Sequence, residues 1–346
     1  MKSIVYSEPG GPEVLRLVDR PEPVPKPGEV LVRVAVSGVN PTDWKSRRGG
    51  GLGGRGLESE GVVPNQDGAG TIEATGPGVD PGRVGDRVWI WEAFWQRPDG
   101  TAQEFIAIPS DHAVSLPPVA SFDLGASLGI PALTAHRCLT VGEAAPARLA
   151  PGALAGRTVL VAGGAGAVGH VAIELARWAG ATVITTVSSP DKGRLAEAAG
   201  AHHVVNYREG DPAAAIRAAA PDGVDTVVEV APATNAALDV AVLAPFGVVA
   251  VYASGDGDLL LPVRPLMMPN VRWQFVLVYT MPPAAKAAAV EAVSAAVADG
   301  ALRVGEEAGL PLHRFPLERT ADAHAAVESG AVGKVLIDVA TMGAAP

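Results

Sequence analysis

Cysteine is nearly missing from this chain: Cys138 is the only one in 346 residues. One thiol cannot form an intrachain disulfide, a cysteine-rich zinc lobe or a thiolate cluster, and its scarcity fits a reducing compartment. Runs of Lys and Arg are also missing, and the formal charge is −10. That balance argues against nucleic acid and against an anionic membrane as partners. No apolar stretch reaches the ~18 uninterrupted residues of a membrane span, and Met1-Lys2-Ser3-Ile4 does not open a charged-then-apolar leader. The expectation is a soluble cytoplasmic protein. Glycine and proline, at 41 and 30 residues, are plentiful but scattered among apolar segments, which predicts tight turns rather than disorder. The length predicts about two domains.

What is present is organised around Thr158-Val159-Leu160-Val161-Ala162-Gly163-Gly164-Ala165-Gly166-Ala167-Val168-Gly169. A β-branched apolar run ends in clustered glycines, and helix-period sequence follows from His170 to Ala179. Gly164, Gly166 and Gly169 have the G-x-G-x-x-G spacing of a dinucleotide-binding turn. Glycine is needed there first for a tight turn, then for close approach of backbone to a pyrophosphate, then for helix–strand packing. The N–H groups that open the helix, at Ala167 and Val168, suit the phosphates. The pattern is weak alone, and its strand–turn–helix setting makes it specific. A second cluster, Gly49 to Gly56, lacks the Gly-Lys-Ser/Thr ending of a phosphate loop and reads as a surface loop.

Residues 1–120 read as β-rich and turn-dense, with strand composition at Ile4–Tyr6, Val14–Val18 and Glu29–Val36 and a proline-rich connection from Pro21 to Gly28. From about Pro118 helix and strand alternate, the rhythm of a parallel sheet with crossover helices. Strands are predicted at 158–162, 182–187, 203–206, 224–230, 247–252 and 272–279, with helices at Lys192–Ala199, Pro212–Ala219 and Asn235–Leu243 between them. Six strands in this rhythm predict a doubly wound dinucleotide domain of the Rossmann type. Pro282 and Pro283 open an alanine-rich helix that Gly300 stops, and the tail returns to short strands around a helix at Leu317–Ser329.

The second strand of such a domain discriminates between cofactors. An acid at its end binds the ribose 2′-hydroxyl of NAD and repels a 2′-phosphate. Here Thr182–Val187 runs into Ser188-Ser189-Pro190-Asp191-Lys192, with no acid near Val187–Ser188. Hydroxyls at Ser188 and Ser189 and the ammonium of Lys192 suit a phosphate dianion, and Tyr207, past the third strand, is placed to close the same pocket. The expectation is NADP(H). Asp191 beside the lysine opposes it, and a solvated helix lysine is the plain alternative.

With these residues in view, the chain resembles the medium-chain dehydrogenase/reductase superfamily, and within it the zinc-free quinone oxidoreductase (zeta-crystallin-like) branch. The resemblance runs through Tyr6–Leu15, Ser37-Gly38-Val39-Asn40-Pro41-Thr42-Asp43, Gly85-Asp86-Arg87-Val88, Ala132-Leu133-Thr134-Ala135, Gly163–Gly169, Asn206–Glu209 and Gly333-Lys334-Val335. It implies a GroES-like, β-rich catalytic domain from 1–120 and 299–346, with the six-stranded Rossmann domain inserted at 121–298. Zinc-dependent members carry cysteine where this chain has Asn40, and Gly-His-Glu where it has Asn65-Gln66-Asp67. Asn and Gln are poor zinc ligands, and the histidines, including His170 and the pair His202-His203, read as packing or surface residues. No catalytic zinc is expected.

Without a Lewis acid, hydride transfer favours acceptors that spread the incoming charge, such as quinones or conjugated carbonyls. The resemblance implies Asn40 as the polar group beside nicotinamide and substrate, and Asp43 as the residue that holds its loop. It implies Thr134, in a loop before the dinucleotide domain, near the nicotinamide, together with backbone around Phe275 and Leu277 and the lysine of Gly333-Lys334-Val335. Trp44, Trp91, Phe94 and Trp95 are candidates to line a pocket for flat acceptors, and core packing is the competing reading. The tyrosine that relatives often carry eleven residues after the asparagine is replaced by Gly51, so solvent is a candidate proton source. A long apolar edge strand at 272–279 is a liability if left bare, and the resemblance implies a homodimer paired along that edge. Two other readings stay open: a 2-alkenal, enone or enoyl-thioester double-bond reductase on the same scaffold, and a non-catalytic NADPH-binding protein.

Overall fold

The computed structural model describes residues 1–50, 61–255 and 257–339. Most of the Gly49–Gly56 cluster, including Gly51, lies outside the described residues. In chain order the elements are β1 (Lys2–Val5), β2 (Arg16–Asp19), β3 (Glu29–Val39), α1 (Pro41–Arg47), β4 (Asp67–Thr75), β5 (Arg87–Ile90), β6 (Phe105–Pro109), β7 (Ala113–Ser115) and α2 (Phe122–Leu139). The alternating part follows as β8 (Thr158–Ala162), α3 (Ala167–Trp178), β9 (Thr182–Val187), α4 (Pro190–Ala198), β10 (His203–Asn206), α5 (Pro212–Ala219), β11 (Val224–Glu229), α6 (Pro232–Val242) and β12 (Leu243–Val251). The chain continues with α7 (Val263–Met267), β13 (Arg272–Phe275), α8 (Pro283–Ala298), β14 (Leu312–Pro316), α9 (Thr320–Glu328) and β15 (Lys334–Asp338).

Local chemistry sets many of these boundaries. Proline stands in the first turn of α4, α5, α6 and α8, where its missing N–H costs no helical bond. Ser189 caps α4 by accepting from Lys192 N, and Asp211 caps α5 by accepting from Ala213 and Ala214 N.

The chain divides into two compact units, Met1–Ile130 with Leu312–Pro346, and Pro131–Pro311. In the first, seven strands form a sheet in the order β14-β15-β3-β4-β5-β7, with β6 also pairing β3. Only β14 and β15 run parallel, so both chain ends build one GroES-like sheet. Its core gathers Val30, Val32 and Val34 with Ile72, Ile90, Phe94, Ile106, Val335 and Ile337.

In the second unit, six parallel strands are ordered β10-β9-β8-β11-β12-β13, the 3-2-1-4-5-6 order of a Rossmann fold. Leu160, Ile184, Val227 and Val249 bury the middle of this sheet.

The unit edges differ from the expected 121–298. On the early side, Arg87 stacks its guanidinium 4.3 Å from the Phe122 ring, and Ile130 N donates to Asp67 at 2.9 Å, tying residues up to 130 to the first unit. On the late side, Arg303 is bonded to Glu174 of α3 through N and Nε, both at 3.0 Å. A Cβ at Gly309 would lie 2.1 Å from Leu195 O, so backbone meets backbone there within the second unit. The strand expected at 272–279 is shorter, because its partner β12 ends at Val251, opposite Phe275. Val278–Thr280 then turns as a 3-10 helix.

Candidate functional site

The glycine turn divides its labour by residue. Gly163 has φ +71, which only glycine adopts freely. A Cβ on Gly164 would sit 2.2 Å from Thr185 Oγ1 on β9, and one on Gly169 would sit 2.4 Å from Gly163 O. Both positions are glycine because neighbouring strand and turn leave no room. Gly166 differs. The nearest atom to a Cβ there is Gly163 O at 3.5 Å, an ordinary contact, and its backbone (φ −84, ψ 163) suits any residue. The fold does not require glycine at 166. The same residue is the N-cap of α3 and offers no side-chain acceptor, so the N–H groups that open the helix lack a capping partner.

At the end of β9, Lys192 Nζ donates to Ser188 Oγ at 3.0 Å, while Ser189 Oγ accepts from Lys192 N at 3.3 Å. Asp191, the acid that opposed a phosphate reading, is ion-paired with Arg194 on the exposed face of α4. The structure thus brings Ser188, Ser189 and Lys192 together with an ammonium and a hydroxyl in contact. Tyr207 follows β10 with its N–H on Val187 O at 3.1 Å, which places it at the same end of β9, half-exposed.

At the end of β11 the structure shows a buried acidic pair that sequence reading missed. Glu229 is fully buried, and its carboxylate accepts from Ala231 N and from Asn235 Nδ2 at 3.0 and 3.2 Å. It holds the loop that opens α6. Burial pushes the neighbouring Asp239 carboxyl up to about 9, and the charge of Glu229 adds to the shift. Glu229 is raised as well, again first by burial. A raised acid binds its proton more tightly folded than unfolded. The stability it contributes is full below about pH 4 and is lost as pH climbs towards about 9. Asp239→Asn should flatten this slope, so its melting temperature should gain on wild type between pH 6 and pH 9. Parallel melting curves across that range would remove the assignment. No spacing rule marks such a pair, because the two acids approach only through the fold of α6 on β11.

In the first unit, Asn40, Asp43, Asp67 and Lys334 converge. Asn40 and Asp43 sit at the start of α1, Asp67 opens β4 and Lys334 opens β15. Lys334 Nζ donates to Asn40 Oδ1 at 2.8 Å, and Asn40 Nδ2 donates to Asp67 Oδ2 at 2.7 Å. Lys334 Nζ also lies 3.6 Å from Asp67 Oδ2. Asp43 Oδ2 accepts from Asn40 N at 2.7 Å. All four are buried. Burial pushes the Asp43 carboxyl up to about 8, raises Asp67 and lowers the Lys334 ammonium, with the opposite charges offsetting part of each effect.

The loop before β4 is anchored by a continuous chain of hydrogen bonds. His324 Nε2 meets Asn65 Oδ1 at 2.9 Å, Asn65 Nδ2 donates to Ser37 Oγ at 2.9 Å, and Ser37 Oγ contacts Thr101 Oγ1 at 2.7 Å. Thr101 Oγ1 then donates to Asp67 O at 2.6 Å. Burial holds His324 well below the usual range, at about 3, so its imidazole is neutral. Gln66 is occupied elsewhere, accepting from Phe94 N at 3.0 Å.

Several site candidates stand differently from their expectation. Phe94 lies in the core, 1% exposed and edge-on to Tyr6, because Gln66 draws its backbone inward. Trp91 is buried and stacks on His112 at 3.9 Å, with Nε1 donating to Asp111 O at 3.3 Å. Trp44, on α1, and Trp95 keep partial exposure. Thr134 belongs to α2 rather than to a loop: Gly129 interrupts that helix, and Pro131 starts its second half. Phe275 and Leu277 are exposed at and beyond the edge strand β13. Lys334, expected at the cofactor, has its ammonium on Asn40 and Asp67. Among the described residues no group of three or more His, Cys, Asp and Glu is placed to hold a metal.

A GroES-like unit from both chain ends and a Rossmann unit with a glycine-rich turn define an alcohol-dehydrogenase-type class of oxidoreductase. The comparisons agree: the alcohol dehydrogenase GroES-like domain matches residues 26–118, and the zinc-binding dehydrogenase domain matches residues 167–295. The quinone oxidoreductase of Lama guanicoe is 32% identical over 344 residues, covering 97% of each chain. A mycobacterial protein solved in complex with NADPH is 30% identical, with a TM-score of 0.78 over 97% of this chain and 99% of that one. A solved NAD-dependent alcohol dehydrogenase is 27% identical, with a TM-score of 0.82 over 98% and 100%. This chain belongs to the quinone oxidoreductase family of the medium-chain dehydrogenase/reductase superfamily.

Proposed function

We propose that this protein is an NADPH-dependent, zinc-independent reductase that delivers hydride to a quinone or a similarly conjugated carbonyl compound. The observation that carries the reading is the Asn40–Asp67–Lys334 cluster. An ammonium holds Asn40 Oδ1 at 2.8 Å and lies 3.6 Å from Asp67, and Gln66 is committed to Phe94 N, so this residue set does not fit a zinc ion. An acceptor that delocalises its own charge needs no metal, and the protein's part is positioning and a few donors at the developing oxyanion.

Gly164, Gly166, Ala167, Val168 and Gly169 would hold the pyrophosphate of NADPH, and Ser188, Ser189, Lys192 and Tyr207 its 2′-phosphate. Thr134 and the backbone at Phe275 and Leu277 would face the nicotinamide end. When bound, the nicotinamide supplies the hydride. Asn40 would donate the second N–H of Nδ2 to the acceptor oxygen, with Asp43 holding the residue in register and solvent as the candidate proton source. Trp44 and Trp95 are the aromatic residues left to border the acceptor.

The same reading places the protein in the cytoplasm, and among the described residues no helix is long and apolar enough to cross a membrane. It also assigns a homodimer through β13. That strand ends the sheet, and Phe275, Leu277, Val263, Met267 and Met268 around it are exposed.

The test is NADPH oxidation with a quinone and a 2-alkenal run side by side. Turnover with the quinone supports the proposal, activity confined to the alkenal moves the function to double-bond reduction, and tight NADPH binding with neither leaves a binding protein.

A further inference from the structure

We propose that Lys334 and Asp67 act together as positioning residues for Asn40, fixing the direction in which its carboxamide and its remaining N–H face. The inference rests on the reading of Asn40 as the oxyanion donor and deepens it.

Asn40 is the N-cap of α1, where an asparagine ordinarily turns its side-chain oxygen onto the helix. Here Asn40 shares a capping box with Asp43, and its side chain also has two charged partners. Its Oδ1 goes to the Lys334 ammonium at 2.8 Å and its Nδ2 to the Asp67 carboxylate at 2.7 Å. Rotating the amide by half a turn would set NH2 against the ammonium and oxygen against the carboxylate, two repulsions in a buried, low-dielectric place. One orientation survives. In it Nδ2 keeps a second N–H in one fixed direction; the ammonium on Oδ1 polarises the amide towards donation and the carboxylate on the first N–H opposes this, so the use of the pair is to orient.

The surrounding backbone is shaped to hold the two charged groups. A Cβ on Gly38 would lie 3.1 Å from Lys334 Cε and 2.0 Å from Ala126 O, so the lysine stem passes over a position that only glycine leaves open. Asp67 Oδ1 accepts from Ile130 N at 2.9 Å. That N–H is available because α2 breaks at Gly129, where a Cβ would lie 2.0 Å from the same oxygen. A buried ion pair is a poor device for stability alone, since hydrophobic replacements often do as well. Its attachment to both ends of one amide gives it a specific use.

The test combines kinetics with a readout that needs no turnover. Asn40→Ala is expected to lower kcat about 100-fold, the usual cost of one oxyanion donor. Lys334→Met should lower kcat about 10- to 100-fold with KM for NADPH within about twofold, and the double variant Asn40→Ala/Lys334→Met should be no slower than Asn40→Ala alone. Because Lys334→Met strands the Asp67 charge, Asp67→Asn/Lys334→Met is made as well, and Lys334→Gln should regain part of the loss. Losses that multiply in the cycle would overturn the proposal.

The chain has five asparagines, so selective 15N-asparagine labelling gives five side-chain amide pairs. The pair lost in Asn40→Ala is expected to be displaced from the free-amide position in wild type and to move towards it in Asp67→Asn/Lys334→Met. A resonance unchanged by that double substitution would overturn the inference. Failure of wild type to turn over any acceptor would sink the proposed function and leave the amide resonance to decide this one.

Discussion

Lys192→Ala is expected to weaken NADPH by about 1.5–3 kcal/mol, roughly 10- to 150-fold in Kd, while NADH changes by less than about twofold. The magnitude is that of a hydrogen bond to a charged group. The asymmetry follows from what surrounds the lysine. Its ammonium already touches Ser188 Oγ at 3.0 Å, and Asp191 is withdrawn into an ion pair with Arg194, so no carboxylate competes with a 2′-phosphate there. The end of β9 also carries no acid to hold an NADH ribose. Fluorescence titration of both nucleotides measures the ratio. Equal losses for NADPH and NADH would mean that Lys192 is only a helix lysine, and would take the NADP(H) assignment with it.

Gly166→Ala and Gly169→Ala should separate binding from folding. At Gly166 a Cβ meets nothing closer than 3.5 Å and the backbone is extended, so the variant should melt within about a degree of wild type. Its new methyl group would stand where a pyrophosphate must approach the backbone, and NADPH affinity should fall about 100-fold or more. At Gly169 a Cβ falls 2.4 Å from Gly163 O, so turn and helix must part. That variant should lose stability by about 1–3 kcal/mol as an overpacked site does, with the binding loss following from the damaged turn. Thermal melts with NADPH titrations distinguish the two. A Gly166→Ala protein that binds NADPH as wild type does would show that the turn holds no pyrophosphate.

The two units were not equally open to reading from sequence. The dinucleotide unit was legible because its signals are local. Strand, glycine turn and helix follow within a dozen residues, and the predicted strands at 158–162, 182–187 and 203–206 coincide with β8, β9 and β10. The pairing of Lys192 with Ser188 is likewise a one-turn contact. Asn40 stood out through its segment, yet its partners did not, because Asp67 is 27 positions away and Lys334 is 294. Contacts of that range are set by the register of β15 on β3, which no periodicity announces. The packing of Phe94 and Trp91 was hidden from sequence for a related reason. Aromatic spacing shows that large side chains are near one another, and only Gln66 holding Phe94 N, with His112 under Trp91, shows which way they face. Arg303 and Gly309 meet α3 and α4 through contacts that composition does not express, which is why the second compact unit runs to Pro311.

The central claim is hydride transfer without a metal, and the most direct measurement is quinone-dependent NADPH oxidation before and after exhaustive chelation, with metal content determined on the same samples. The Lys334 ammonium against Asn40 and Asp67 predicts an unchanged rate in protein free of zinc. Activity that disappears on chelation and returns with stoichiometric zinc would contradict it, and would mean that a metal displaces Lys334 from this cluster.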